Sequence, residues 1–377
     1  MPPSVEALRR LCREDLEAGV EDIEATGRLP EEVVERLGQL GAWRLGLPPE
    51  HGGFGLPLAQ LVPYLEAAAE GPAPGRMLVH LSNGIWRPIH RYGQPAQQEL
   101  LAEMGRGRAF VAFALTEASG GTGRDLHSRA TRSGDKWLLR GEKHLITFAD
   151  RATHFLLTVA SDDRRAPDSL TTFLVPRDTP GLDIDSSQGT MGLHGTGHGF
   201  LRYQDLALPD AARVGAVGQG LEVAMHFLDY SRLSLSACMV GLAQRALAES
   251  LAFARRRVTF GRPIADRQAV QGHLARMQAL LSAGRALVRE AAAAYDAAAD
   301  AGGLGSEDLS ALSATTKLYC LEMVGEVTDR ALRVHGGWGY TTQAPIERIY
   351  RDARGFWFEE GTAEIQSLVV ARHLLNR

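Results

Sequence analysis

Cysteine is nearly absent from the 377 residues. Cys12, Cys238 and Cys320 stand far apart and form neither a Cys-x-x-Cys pair nor a Cys/His ligand spacing. A disulfide framework is thereby excluded, and reduced, intracellular thiols are expected. Lysine is as scarce: Lys136, Lys143 and Lys317 are the only three among 41 basic residues. With no basic patch beside them, this is a compositional bias rather than a functional feature. The chain also lacks the roughly 18 consecutive apolar residues of a membrane span, because Arg, Glu or Asp interrupts its richest segments. The first twenty residues alternate charge with apolar side chains and lack the continuous run of a secretory signal. A soluble, cytoplasmic protein is expected. The formal net charge of -4 is spread along the chain, so nothing marks nucleic acid as a partner.

Several common motifs are missing as well. The clusters HGGFG, SGGTG and GLHGTGHG concentrate glycine, yet none has G-x-G-x-x-G spacing between a strand and a helix, and none carries a Walker lysine. An NAD-binding Rossmann site and a P-loop are excluded. The histidines form no His-Glu-x-x-His, and His194 and His198 lie in a glycine-rich loop, so no metal site is expected. There is no G-x-S-x-G nucleophile elbow.

What is present divides into three textures. Residues 1–108 repeat apolar side chains at helical spacing between Gly/Pro-rich turns, which predicts an N-terminal α-helical domain. Residues 109–212 carry short apolar or alternating runs such as FVAFAL, HFLLTVA and FLRYQDLALP, which predict a middle β-domain. Residues 213–377 return to long helical patterns, near 221–257, 264–301, 306–335 and 362–375, with a glycine turn at 335–339. Such helices with short connections predict a C-terminal four-helix bundle. The fold class is therefore α+β in the order helices, sheet, bundle.

Seven segments carry the chemistry: FALTEASGGTG (113–123), GEKHLIT (141–147), MGLHGT (191–196), LDYSR (228–232), RVTFGRPIADRQ (257–268), RVHGGWGYTTQAPIERIYRDAR (333–354) and EEGTAEIQ (359–366). In this order, over essentially the whole chain, they resemble the acyl-CoA dehydrogenase family. The resemblance implies an FAD-dependent enzyme that oxidises the α,β-bond of an acyl thioester carried by CoA or a carrier protein. It also implies an electron-transfer flavoprotein as acceptor and a homotetramer, or at least a dimer.

Each segment acquires a role from the same resemblance. Glu360, just before Gly-Thr, is the base that removes the α-proton. A thioester acidifies its α-carbon, so one well-placed carboxylate can take that proton while the β-hydrogen leaves as hydride. Phe113, Leu115, Thr116, Leu145 and Thr147 border the flavin, with Thr122 near both flavin and substrate. Arg257, Thr259 and Phe260 bind the FAD pyrophosphate, a task that suits the planar, multidentate guanidinium. Gln268, Arg333, Gly336 and Gly337 hold a neighbouring subunit's FAD, and Thr362 and Glu364 complete the cofactor set. Asp229, Ser231, Arg232 and Gly361 lie along the thioester. Read without the resemblance, the threonines are ordinary strand residues, Arg255 to Arg257 are a solvated helix face, and Asp229 with Arg232 is an intrahelical pair.

The chain departs from the family pattern in places. Thr122 and Gly123 stand where serine and aspartate are usual, Leu145 replaces a tryptophan over the flavin edge, and Phe148 replaces a small polar residue. Glu359 stands where an aromatic residue is frequent, which puts a second charge near the acyl pocket and suggests a polar acyl group. The Leu145 change keeps an O2-using oxidase or monooxygenase on the same fold as an alternative, although such relatives generally lack the Glu-Gly-Thr base. A non-catalytic binding protein is a third reading.

Overall fold

The computed structural model describes residues 1–118, 126–161, 167–186 and 189–376. Uninterrupted helical periodicity yields the three longest helices, Gly220–Arg256, Gln268–Asp300 and Glu307–His335. The Ser306 hydroxyl starts the third by accepting from Leu309 N, and Glu307 and Asp308 favour the same end electrostatically. Glu307–His335 packs against both other long helices and against the last helix, Ala363–Leu375. These four make the bundle. A further helix, Pro345–Gly355, follows the 3-10 turn Gly336–Tyr340; the sequence reading assigned no helix there.

The N-terminal helices Leu58–Ala69 and Ala73–Ser82 lie on Gly220–Arg256. One apolar core runs through both helical regions, including Leu8, Trp43, Leu65, Met239 and Phe356. Gly241, the one glycine inside Gly220–Arg256, lies where helix Leu58–Ala69 packs tightly on it. A Cβ there would lie 2.1 Å from the carbonyl oxygen of Glu66.

An eight-stranded sheet occupies the middle of the chain, with a separate core that includes Leu139, Phe155, Phe173 and Leu206. Its order is Leu182–Asp185, Gly199–Pro209, Lys136–Ile146, Arg129–Ser133, His154–Ala160, Leu170–Pro176 and Arg213–Val214. Val111–Ala114 joins it parallel to His154–Ala160. From this strand the ring of Phe113 reaches that of Phe227 on Gly220–Arg256, centroids 4.9 Å apart. The sheet and the bundle meet here, beside the FALTE segment.

Candidate active site

Glu360 lies in the turn between helix Pro345–Gly355 and the last helix. Its backbone is left-handed, φ 52°, and Gly361 follows at φ 89°. Glycine suits the second value, whereas a residue with a Cβ takes the first only when its surroundings hold it there. The surroundings are side-chain donors. Gln366 Nε2 gives a hydrogen bond to the Glu360 carbonyl at 3.2 Å, and Arg232 Nε approaches the same oxygen at 3.4 Å. Lys317 donates to the carbonyls of Glu359 and Gly361.

The Glu360 side chain is 12% exposed, with Oε1 3.7 Å from His80 Nε2. The enclosed His80 ring is fixed by Ser234 at 2.8 Å and Ser231 at 3.2 Å. Arg232 pairs with Asp229 at 3.1 Å, and Asp229 also accepts from Ser310 at 2.7 Å and Ser313 at 3.4 Å. Burial pushes the Asp229 carboxyl upward, with Arg232 and the two serines opposing. The structure thus gathers Asp229, Ser231, Arg232, Glu360 and Gly361 into one neighbourhood. Asp229 and Ser231 are turned onto protein partners within it.

Glu359 does not supply the free charge that its sequence position suggested. Arg76, wholly enclosed on helix Ala73–Ser82, holds both carboxylate oxygens, at 3.1 and 2.9 Å, and lies 4.1 Å over the Phe356 ring. Burial pushes this carboxyl up, but Arg76 outweighs it and keeps the group below the usual carboxylate range. Arg76 was invisible to sequence reasoning because 283 residues separate the partners.

On the sheet side, Lys143 donates to the Leu115 carbonyl at 2.9 Å and pairs with Glu117 at 2.8 Å. Burial lowers the Lys143 pKa to about 8, with Glu117 opposing. Thr116 and Leu145 are exposed, Leu145 by 39% and with φ 55°. Thr147 Oγ1 lies 3.3 Å from His198 Nε2. Thr196 gives its hydroxyl proton to the Leu193 carbonyl at 2.6 Å, so its oxygen accepts from His198 Nδ1 at 2.8 Å. Nε2 of the neutral ring then accepts from Thr147, which leaves lone pairs of the Thr147 oxygen available. His198 carried no weight in the sequence reading. Phe148 points inward, toward Phe110, and so does not border this edge. Thr122 and Gly123 lie outside the described residues.

A concavity of about 890 Å³ is lined by Arg257, Thr259, Gly336 and Gly337, with Arg256 and Trp338. Arg256 is an addition, since sequence reasoning left it to solvent. Phe260, Gln268 and Arg333 are exposed outside this lining, and Arg333 pairs with Asp329 at 2.7 Å. Thr362 and Glu364 serve the start of the last helix. The Thr362 hydroxyl caps it through Ile365 N, and hydrogen bonds from Thr362 and the backbone keep the Glu364 carboxyl low. Among the described residues, Glu50, His51 and His90 bring three potential metal-ligand atoms within 4.8 Å of one another. The two histidines already share a contact of 3.4 Å. No described helix is long and apolar enough to cross a membrane.

Comparison with known proteins settles the family. Residues 4–108, 112–206 and 218–375 match the N-terminal, middle and C-terminal domains of acyl-CoA dehydrogenase. The chain belongs to the acyl-CoA dehydrogenase family. It is 32% identical to the mitochondrial short-chain specific acyl-CoA dehydrogenase of Bos taurus, over 100% of this chain and 91% of that one. Among solved structures it is similar to butyryl-CoA dehydrogenase from Megasphaera elsdenii, at 27% identity, TM-score 0.91 and 98% coverage of both chains. It is also similar to the prolyl acyl carrier protein oxidase AnaB, at 26% identity and TM-score 0.88, covering 98% of this chain and 97% of that one.

Acyl-CoA dehydrogenases are FAD-dependent oxidoreductases, and the residues present suit that cofactor. Two neighbouring guanidinium groups, two threonines and two glycines are among the residues that line the concavity. A Cβ on Gly336 or Gly337 would meet nothing within 4 Å, so main chain and ligand can approach there. Such a donor set suits a pyrophosphate.

Proposed function

We infer that the chain removes the elements of hydrogen from the α,β-bond of an acyl thioester, with Glu360 as the α-proton acceptor. The observation that carries this reading is the Glu360 turn: a largely buried carboxylate on a left-handed backbone whose carbonyls are held by side chains. A base that must meet one proton of a bound substrate profits from such immobility. FAD, when bound, supplies the acceptor for the β-hydride. Phe113, Leu115, Thr116, Leu145 and Thr147 would border its ring, and Arg257 and Thr259 its pyrophosphate; Gly336 and Gly337, expected at a neighbouring subunit's FAD, share the concavity of Arg257 and would serve the same cofactor. The exposed Phe260, Gln268 and Arg333 suit contact with a second copy of the chain, in a homotetramer or dimer.

Arg232 would act next to the base, with Asp229 fixing its guanidinium and His80 bounding the carboxylate. The proton moves from the α-carbon to a Glu360 oxygen. His80 and Arg232, beside the carboxylate, would help keep bulk water from competing for that position. An electron-transfer flavoprotein would take the electrons onward. A second reading, direct use of O2, draws on the similarity to AnaB and on the exposed Leu145 in place of an aromatic cover.

Anaerobic titration of the purified flavoprotein with a panel of acyl-CoA and acyl-carrier thioesters tests the reaction and defines the carrier. Loss of the oxidised flavin band with at least one thioester is the expected result. Bleaching by none overturns the reading, and rapid O2 consumption during aerobic turnover favours the oxidase.

A further inference from the structure

The turn that carries Glu360 is gripped from three helices at once. Lys317, from the middle of Glu307–His335, donates to the carbonyl oxygens of Glu359 and Gly361, on either side of the base. Gln366, on the last helix, donates to those of Glu360 and Gly361 at 3.2 and 3.1 Å. Arg232, on Gly220–Arg256, adds its contact with Glu360. Each carbonyl from 359 to 361 therefore accepts from a side chain. A left-handed residue flanked by peptide planes that cannot rotate has its side-chain direction fixed by the backbone itself.

The chemistry of position 317 is selective. The chain has three lysines among 41 basic residues, and two of them, Lys143 and Lys317, are fully enclosed. The scarcity of lysine is compositional, so its survival at enclosed positions points to a requirement that arginine does not meet. An ammonium has three donors on one compact centre, and two of them meet the converging carbonyls of Glu359 and Gly361. A guanidinium brings five donors in a planar fork, and part of that fork would be orphaned here. The Glu360 carboxylate is close enough to favour the charged lysine against the burial that lowers its pKa to about 8.

We propose that Lys317 is the positioning residue of the base: it pins the peptide groups on both sides of Glu360 and so sets where the carboxylate meets the α-proton. The inference rests on the reading of Glu360 given above. Lys317 touches no reacting atom and acts through the main chain. Its loss should therefore slow proton removal while leaving FAD and the thioester bound.

The test compares FAD-loaded Lys317→Met, Gln366→Met and Glu360→Gln with the unaltered protein. Each is mixed anaerobically with a saturating amount of the acyl-CoA that bleaches the unaltered flavin fastest. Lys317→Met should reduce its flavin about 10- to 100-fold more slowly, the order that a small misplacement of a reacting group produces. FAD and thioester dissociation constants should stay within about twofold, because Lys317 itself meets neither ligand and the Gly361 carbonyl keeps its hydrogen bond from Gln366. Gln366→Met should show a smaller loss of the same kind. A Lys317→Met enzyme at full speed, or one whose rate falls in step with FAD or thioester affinity, overturns the positioning role. Should that variant fail to fold, a full-speed Gln366→Met overturns it instead. A Glu360→Gln enzyme that bleaches normally removes the underlying reading, whereas an inactive Glu360→Gln beside a full-speed Lys317→Met removes this inference alone.

Discussion

Replacing Arg76 with methionine isolates the buried pair beside the catalytic turn. Methionine keeps most of the arginine stem and its packing on Phe356, but it leaves Glu359 with two oxygens that Arg76 held at 2.9 and 3.1 Å. Arg76 is wholly enclosed and the Glu359 side chain 12% exposed. Breaking a buried pair from one side costs about 3–5 kcal/mol, since the remaining charge is uncompensated. At roughly 2.1 cal/mol/K of unfolding entropy per residue, the 377-residue chain has about 0.8 kcal/mol/K. The midpoint of thermal unfolding should therefore fall by about 4–6 °C at pH 7.5, measured at one fixed FAD concentration.

The pH dependence gives the prediction its sign. With Arg76 present, the Glu359 carboxyl is held below its ordinary range, so its stabilisation is complete above the unfolded value of about 4.3 and lost as pH falls through the folded one. Without Arg76, burial, the largest influence on Glu359, acts against only the smaller opposing effects of His80 and His198 and raises the carboxyl, so the variant gains relative stability as it takes up a proton. The gap between the two proteins should narrow on going from pH 7.5 to 5. Arg76→Met combined with Glu359→Gln should recover most of the loss, because no charge is then orphaned. A loss under about 1 kcal/mol, or a gap that does not change with pH, would refute the reasoning.

Two further substitutions probe the parts that position the site. Lys143→Met removes the donor to the Leu115 carbonyl and the counter-ion of the enclosed Glu117 carboxylate, which keeps its hydrogen bonds from His127 N and Ser128 N, and should weaken FAD binding at least about tenfold, read from flavin fluorescence on titration. Unchanged affinity would detach this pair from the cofactor site. Gly241→Ala places a Cβ 2.1 Å from the Glu66 carbonyl. Helix Leu58–Ala69 must then move off the bundle, at a cost of about 1–3 kcal/mol in urea unfolding.

The order helices, sheet, bundle was legible because periodicity switches twice along the chain, and the long helices begin and end within a few residues of the pattern. Arg129–Ser133 escaped because RATRS has no apolar alternation; it is a strand through its ladder with Lys136–Ile146. Pro345–Gly355 escaped because its segment was read for its motif rather than its period. At the site, neighbours along the chain were easier to find than neighbours across it. Glu360, Gly361 and Thr362 could be picked from one short stretch, whereas Arg76, His80 and Lys317 come from elements far away in sequence. The lysine count says nothing of the site by itself, whereas two of the three lysines, Lys143 and Lys317, prove to be fully enclosed.

The most direct test of the account is single-turnover reduction of the flavin in Glu360→Gln. The glutamine keeps size and polarity but cannot accept the α-proton, so the variant should bind FAD and thioester normally while bleaching slows by about two to four orders of magnitude. Bleaching at the unaltered rate, with both ligands bound, would contradict the assignment of Glu360.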